Sequence, residues 1–279
     1  MTTSIDLAKL LTESERDQSF ANMRPKDAAT LIIIDRIDGV PKVLLGRRHA
    51  RHKFMPDKFV FPGGRVESGD RILPVASSLH PVVEARLLKV TQRPSAARAR
   101  AIAIAAIRET FEETGLLIGA PLTPSNARPL TPSNARPLTP SNARPPTPSN
   151  ARPLTLSNAR PLSPANDPFA AAGLYPDLQA LHFVTRAITP PRRARRFDTR
   201  FFAVDAARIG HRAEGIVGAD SELVELAWIP LNEAQRLDMP TITQVVLAEL
   251  EARVAAGLGH DLPVPFYKMS HRRFLRALL

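Results

Sequence analysis

Three glutamates near the middle of the chain form its densest group of residues that could do chemistry. They lie in the run Arg108-Glu109-Thr110-Phe111-Glu112-Glu113-Thr114-Gly115-Leu116. On an α-helix the apolar residues of this stretch share one face, and the three carboxylates fan out over the opposite one. Like charges at this spacing destabilise an isolated helix, which favours a cationic partner. Because Mg²⁺ prefers carboxylate oxygens together with water and substrate phosphate, the run predicts a site for a hard divalent ion, with Gly115 ending the helix.

A glycine-rich turn lies upstream of the glutamates. The segment Phe61-Pro62-Gly63-Gly64-Arg65-Val66-Glu67-Ser68-Gly69-Asp70 combines a strand end, a tight turn and a further carboxylate. With the glutamate run it resembles a Nudix box, whose pattern is Gly, five residues, Glu, seven residues, and then Arg-Glu-apolar-any-Glu-Glu-any-Gly-apolar. The matching positions are Gly64, Arg108, Glu109, Glu112, Glu113, Gly115 and Leu116.

The sequence departs from that pattern at three places. Asp70 replaces the first Glu and keeps the charge with a shorter reach, while Thr110 replaces the apolar residue. Residues 71–107 fill a gap that is seven residues long in the pattern. This segment predicts a short helix after Pro81 and a second, Ala-rich helix that runs into the glutamates. An interrupted box of this kind resembles the peroxisomal coenzyme A diphosphatase branch and its bacterial relatives.

The resemblance implies a role for each box residue. Glu112 and Glu113 are implied metal ligands, Glu109 a ligand or general base, Gly64 a backbone carbonyl ligand and Arg108 a partner that orients a glutamate. The implied catalytic set is therefore Glu109, Arg108 and Glu112, with Mg²⁺ or Mn²⁺ as cofactor, and the general base is left open among the glutamates. Asp70 and Glu222 are additional candidates outside the matching positions.

The implied reaction is attack of water on a phosphoanhydride of a nucleoside diphosphate derivative. Coenzyme A or acyl-coenzyme A is the favoured substrate, because Leu44, Leu45, Arg48 and the Phe-Pro-Gly-Gly run at 61–64 match that branch. Lys53 and Asp57 stand where the branch has Arg and Gly, so ADP-ribose and nucleotide sugars stay open. A non-catalytic module that binds a ligand or nucleic acid is the alternative of another class.

Excess positive charge suggests where an anionic substrate binds. The formal net charge is +11, with local runs at 47–53 and 192–196. Both runs flank predicted strands near the proposed site, and the predicted phosphate contacts are Arg48, Arg196 and Arg200. No nucleic-acid module is recognisable, and two Tyr and one Trp offer little base stacking, so nucleic acid is not expected as a partner. A homodimer is an open alternative for the assembly.

An octapeptide repeat divides the chain. Thr-Pro-Ser-Asn-Ala-Arg-Pro-Leu recurs every eight residues from Thr123 and drifts towards the end of 121–164. Regular Pro removes backbone donors, so this segment predicts a disordered Pro/Arg-rich loop. The expected organisation is an N-terminal extension at 1–24 and a single Nudix domain at 25–120 and 165–279, with a box insertion at 71–101.

The remaining periodicity predicts an α/β fold. Strands are expected at about 28–35, 42–46, 58–61, 115–119, 180–188, 198–205 and 222–229, and helices at about 82–90, 96–114, 231–237 and 241–257. The family resemblance implies that they form an α/β/α Nudix sandwich around a mixed sheet. The chain has no cysteine and no apolar run of signal-peptide or membrane-spanning length, so a cytoplasmic protein without a membrane partner is expected.

Overall fold

The mixed sheet predicted from the periodicity is the centre of the fold. A computed structural model describes residues 6–14, 18–51, 56–121 and 168–279. The strands are β1 (Lys26–Asp35), β2 (Lys42–Arg48), β3 (Phe59–Val60), β4 (Gly63–Arg65), β5 (Leu116–Ala120), β6 (Tyr175–Pro176), β7 (His182–Ile188), β8 (Phe197–Asp205), β9 (Ile209–Arg212), β10 (Leu223–Pro230), β11 (Pro265–Ser270) and β12 (Arg273–Leu278). The α-helices are α1 (Leu7–Glu13), α2 (Pro81–Leu88), α3 (Ala96–Thr114), α4 (Pro168–Ala171), α5 (Leu231–Ala234) and α6 (Thr241–Ala255).

Two sheets organise these strands. The larger has the order β10-β2-β1-β8-β7-β11-β12, with β3 added beside β2 and β4 beside β1. Its β1–β8 and β7–β11 pairs are parallel and its other pairs antiparallel. The smaller sheet has the order β6-β5-β9. A sheet with both kinds of pairing confirms the mixed α/β architecture.

Side chains alternate across β1 and divide the core into two layers. Leu31 and Ile33 pack in one hydrophobic cluster with Ile104 and Ile107 of α3. Ile32 and its strand neighbours on the other face pack in a second cluster with residues of α6. Because strand side chains alternate while each helix presents one apolar stripe, helices cover both faces of the sheet. The result is the predicted α/β/α sandwich.

Caps at both ends fix the position of α3. The side chain of Ser95 accepts a hydrogen bond from the Arg98 amide at the N-terminus. Gly115 ends the helix in the left-handed region at φ 75°, and its amide donates to the Phe111 carbonyl at 2.8 Å. A Cβ at Gly115 would also lie 2.3 Å from the Ala213 carbonyl oxygen, so a side chain is excluded for two reasons. The predicted end of the helix is confirmed.

The box insertion docks on the C-terminal part of the fold. Its helix α2 begins with Pro81 in the first turn, as predicted. Arg86 of this helix donates to three consecutive backbone carbonyls, those of His260, Asp261 and Leu262, at 2.5 to 2.6 Å. The insertion is therefore anchored at its far side and leads back into α3.

The predicted strands and helices lie within a few residues of those observed, apart from α5, which ends at Ala234. Elements that were not predicted are α1, α4, β4, β6, β9 and the β11–β12 hairpin. The predicted repeat loop lies outside the described residues, apart from its first residue. Within the described ranges, no helix has the length and apolar composition needed to cross a membrane.

Candidate active site

Arg108 joins the two halves of the box. Its Nε donates to Oδ1 of Asp70 at 2.8 Å and its Nη2 to Oδ2 at 3.2 Å, which makes a bidentate pair. Asp70 is buried, and its Oδ2 also accepts from the Glu67 amide at 2.7 Å. Burial opposes the charge of Arg108, but the hydrogen bond and charge of Asp70 raise its pKa above the ordinary value. Asp70, in the first acidic position of the box, is therefore the buried partner of the Arg108 guanidinium.

Glu109 and Glu112 lie on the other side of the same guanidinium. Nη1 of Arg108 donates to Oε1 of Glu109 and to Oε2 of Glu112, both at 2.9 Å. Glu109 is largely buried, while the side chain of Glu112 is 53% exposed. Burial raises the pKa of Glu109, and the charge of Arg108 opposes that shift. Arg108 thus contacts two of the three box glutamates, and its implied role in orienting one of them stays a prediction.

Gly64 makes room for the Glu109 carboxylate. A Cβ at Gly64 would lie 2.4 to 2.5 Å from all three atoms of that carboxylate group. Strand β4 carries this glycine, and its pairing of Gly64 with Ala29 of β1 fixes its position. Any larger residue would displace the glutamate, so the glycine of the box has a steric reason to be there.

Glu113 is the carboxylate with the most perturbed titration in the cluster. Burial raises its pKa to about 8, and the neighbouring charges of Glu222 and Glu109 act in the same direction. The charge of Arg48 and a hydrogen bond from the Gly63 amide oppose the shift. Three acidic groups from α3 and the start of β10 therefore crowd one location and accumulate negative charge.

Arg48 and Glu222 pair beside this carboxylate. Nη2 of Arg48 lies 2.6 Å from Oε1 of Glu222, and the backbone of Glu222 accepts from the His49 amide at 3.1 Å. The pairing of β2 with β10 brings the two residues together although they are far apart in sequence. Nε of Arg48 is buried and has no hydrogen-bond partner among the described residues.

The surroundings of Thr110 explain how a threonine can replace the apolar residue of the box pattern. The side chain is fully buried, and its hydroxyl donates to the Ala106 carbonyl one turn back at 2.8 Å. The hydroxyl is therefore satisfied inside the helix, and its methyl group occupies the position of an apolar residue.

The donor set fits a hard divalent ion, although the side chains are not arranged around one. Within the described ranges, no three His, Cys, Asp or Glu side chains are spaced as metal ligands. Glu109 and Glu112 are both turned towards Nη1 of Arg108. Burial, together with the charges of Glu222 and Glu109, raises the pKa of Glu113. Carboxylate oxygens are the ligands that Mg²⁺ prefers.

Two predicted phosphate contacts lie elsewhere. Arg200 has no exposed surface, and its Nη1 is bonded to Asp27 and to the Asp198 carbonyl inside the protein. A side chain without exposed surface cannot meet an incoming substrate, so the expectation for Arg200 is corrected to a structural ion pair.

The Nε of Arg196 donates to the Thr189 carbonyl, and its Nη1 donates to Asn22 and to the Met23 carbonyl, which ties the N-terminal extension to the sheet. These bonds engage two of the three nitrogens of its guanidinium within the protein.

One contributor to the site was missed in the sequence. The backbone of Gly63 acts to lower the pKa of Glu113, whereas only Gly64 had been assigned a role. The doubled glycine was the available signal, since two adjacent residues without side chains allow two close approaches of the backbone.

Comparison with known proteins identifies the class to which this fold and this cluster belong. The model of the NUDT19 Nudix domain family matches residues 26–239, which is most of the chain. The protein therefore belongs to that Nudix family and is a pyrophosphohydrolase. Nudix hydrolases generally use divalent metal ions. A search of curated proteins found no significant match.

The chain is similar to several solved structures. A NUDIX hydrolase from Alicyclobacillus acidocaldarius is 25% identical over 82% of this chain and 92% of its own, with a TM-score of 0.53. The NUDIX domain of Shewanella oneidensis NrtR, solved with ADP ribose, is 10% identical over 88% and 97% of the two chains, with a TM-score of 0.40. A C. elegans Ap4A hydrolase is 12% identical over 82% and 99%, with a TM-score of 0.37.

Proposed function

We propose that this pyrophosphohydrolase cleaves the phosphoanhydride of a nucleoside diphosphate joined to another group, with coenzyme A or acyl-coenzyme A as the favoured substrate. The observation that carries the proposal is the arrangement of Arg108, Asp70 and Glu109 over Gly64, beside the crowded carboxylate of Glu113. It joins the two halves of an interrupted box into one acidic cluster. ADP-ribose and nucleotide sugars are the alternative substrates.

The metal ligands that we propose are the carboxylates of Glu109, Glu112 and Glu113 and the carbonyl of Gly64. Glu222 is a further candidate, because its charge contributes to the raised pKa of Glu113. The proposed ion is Mg²⁺ or Mn²⁺. A bound divalent ion would screen the phosphates and lower the pKa of a water molecule.

The residues of the chain supply positioning and proton transfer. Water attacks one phosphorus of the anhydride, the bond from that phosphorus to the bridging oxygen breaks, and the bridging oxygen leaves on the second phosphate. A carboxylate of the cluster accepts the proton of the water, with Glu109 and Glu222 as the two candidates. Arg108 holds Glu109 in place, and Arg48 offers a cation to a substrate phosphate.

A substrate screen tests this proposal. The purified full chain with Mg²⁺ or Mn²⁺ is incubated with coenzyme A, acyl-coenzyme A, ADP-ribose and nucleotide sugars, and the products are separated. We expect the highest kcat/KM for coenzyme A or its acyl form. A clear preference for ADP-ribose or a nucleotide sugar would replace the favoured substrate, and a lack of turnover with all of them would contradict the proposed reaction.

A further inference from the structure

A cavity of about 680 Å³ lies on the α6 face of the large sheet. Aromatic side chains from several elements form its apolar lining, among them Phe61, Phe201 and Phe274. The first turn of α6 and the loop between β7 and β8 form other parts of its wall. A volume of this size is within the range of small-molecule sites, which usually combine an apolar lining with a few polar groups.

All charged residues among the described residues that line this cavity are cations. Arg48, Lys58, Arg193 and Arg195 line it, and none of the described lining residues is a carboxylate. Several hydroxyls accompany them, including those of Thr30, Thr189, Thr199 and Thr241. Arg48 and Lys58 are paired with Glu222 and Asp238 beyond the lining, whereas Arg195 is exposed and makes no ion pair with any described residue. Cations and hydroxyls without acidic residues are a lining suited to an anion.

The first turn of α6 adds to this potential. Residues Pro240 to Thr243 line the cavity, and Pro240 stands at the N-cap without a side-chain hydrogen bond to the helix. The positive end of a fifteen-residue helix therefore faces the same space as the arginines.

The cavity begins at the acidic cluster and extends away from it. Arg48 lines it and is also paired with Glu222. Thr30 lines it too, and its hydroxyl oxygen lies 2.6 Å from where a Cβ on Gly63 would be. Thr30 is opposite Phe201 of β8, and Phe197 at the start of that strand is four residues away, or roughly 13 Å at the rise of a strand. Arg193 and Arg195 precede Phe197, so they lie near the far end of the cavity.

We propose that the far end of this cavity binds a second phosphate of the substrate, a phosphate monoester separate from the anhydride that is cleaved. Arg193 and Arg195 are its charged contacts. This inference rests on the proposed function and reduces the number of candidate substrates. Coenzyme A and acyl-coenzyme A carry a phosphate monoester on the ribose, whereas ADP-ribose and simple nucleotide sugars carry no phosphate beyond the diphosphate. The two arginines therefore determine specificity and do not act on the reacting bond.

The experiment compares substrates that differ only in that phosphate. The Arg193→Ala/Arg195→Ala double variant is assayed with coenzyme A and with dephospho-coenzyme A in Mg²⁺. We expect kcat/KM for coenzyme A to fall by at least about tenfold, as the loss of charge-assisted hydrogen bonds predicts, with little change for the dephospho form. The control is Arg93→Ala/Arg212→Ala, which removes two exposed positive charges that line neither the cavity nor the acidic cluster. It should leave both substrates unaffected.

A binding measurement separates this inference from the proposed reaction. Adenosine 3′,5′-bisphosphate and AMP are titrated into metal-free wild type and into the double variant by calorimetry. Tighter binding of the bisphosphate to wild type, lost in the double variant, supports the subsite even if no substrate is hydrolysed. An equal loss for both ligands, or no loss, would overturn the subsite even if coenzyme A is hydrolysed.

Discussion

Arg108 and Asp70 form a bidentate ion pair, with Nε to Oδ1 at 2.8 Å and Nη2 to Oδ2 at 3.2 Å. The pair joins the two halves of the box, which the insertion separates in sequence. These residues are 38 positions apart in sequence, yet Asp70 is buried and paired with the guanidinium. The shorter aspartate side chain thus contacts Arg108 and the Glu67 amide. We infer that the first acidic residue of the box positions Arg108.

We expect Asp70→Asn to destabilise the protein and to slow turnover. It leaves a largely buried guanidinium without its main counter-charge, which costs about 3 kcal/mol for a buried pair. The free energy of unfolding and kcat should both fall, because Glu109 loses the fixed orientation of its partner. Glu67→Gln is the matched control, since its pair with Arg65 is solvent-exposed and should be worth little. An unchanged unfolding midpoint for Asp70→Asn would refute the positioning role.

Arg48→Ala should raise KM more than it lowers kcat. The arginine offers binding that is common to the ground and transition states, and loss of such binding appears mainly in KM. Steady-state kinetics with coenzyme A measures both constants. The adjacent Arg47 is the control, because it is paired with the exposed residues Asp57 and Glu225 and does not line the cavity. If Arg48→Ala and Arg47→Ala behave alike, Arg48 belongs to the solvated surface.

The raised pKa of Glu113 predicts how stability depends on pH without metal. Since the folded protein holds this proton more tightly than the unfolded chain does, the contribution to stability is greatest at acid pH. It is lost as the pH rises towards about 8. The melting temperature of wild type relative to Glu113→Gln, measured in EDTA, should therefore fall between pH 5 and pH 8.

Added Mg²⁺ should reverse this trend. An ion binds the ionised carboxylate, so the increase in melting temperature caused by Mg²⁺ should grow with pH in wild type and be smaller in Glu113→Gln. If the difference in melting temperature between wild type and Glu113→Gln in EDTA does not change with pH, the assignment of a proton to Glu113 is contradicted.

The repeat should be dispensable for folding and for hydrolysis. Strands β5 and β6 flank the segment, and the pairing of Ala120 with Tyr175 already brings its ends together. Replacing 123–162 by a short Gly/Ser linker changes the closure entropy on the order of 1 kcal/mol, because that entropy varies with the logarithm of loop length. Melting temperature and kcat/KM should stay close to wild type. A large loss of either would show that the repeat packs on the domain or reaches the substrate.

Periodicity predicted most of the core, and the reason lies in β1 and α3. The run Leu31 to Ile34 is long and apolar, and the Ala-rich helix carries a clear apolar face, so local pattern and tertiary burial agree. The β11–β12 hairpin was missed, since it lies beyond the last predicted helix and half of its strand positions face solvent. Strand β4 was missed because three residues with two glycines carry no alternation.

The clustering of the box side chains could be predicted because it depends on spacing along one helix, whereas the positions of the expected phosphate contacts could not. Arg200 lies in a charged stretch of the sequence, which predicts a position on the protein surface. In the structure its side chain points into the interior and pairs with Asp27. That pairing joins residues 173 positions apart, and no local pattern reveals it. Arg193 and Arg195 line the cavity, whereas Arg196 does not.

Oxygen transfer from water tests the central claim most directly. The full chain is incubated with coenzyme A and Mg²⁺ in ¹⁸O-enriched water, and the products are analysed by mass spectrometry. We predict two phosphate-bearing products with one ¹⁸O in one of them, no cleavage in EDTA, and turnover lowered by orders of magnitude in Glu112→Gln and Glu113→Gln. Both variants should keep the wild-type fold, and Glu214→Gln, an exposed glutamate outside the box, should keep full activity. Full activity in EDTA or in either box variant, or products without ¹⁸O, would contradict the account.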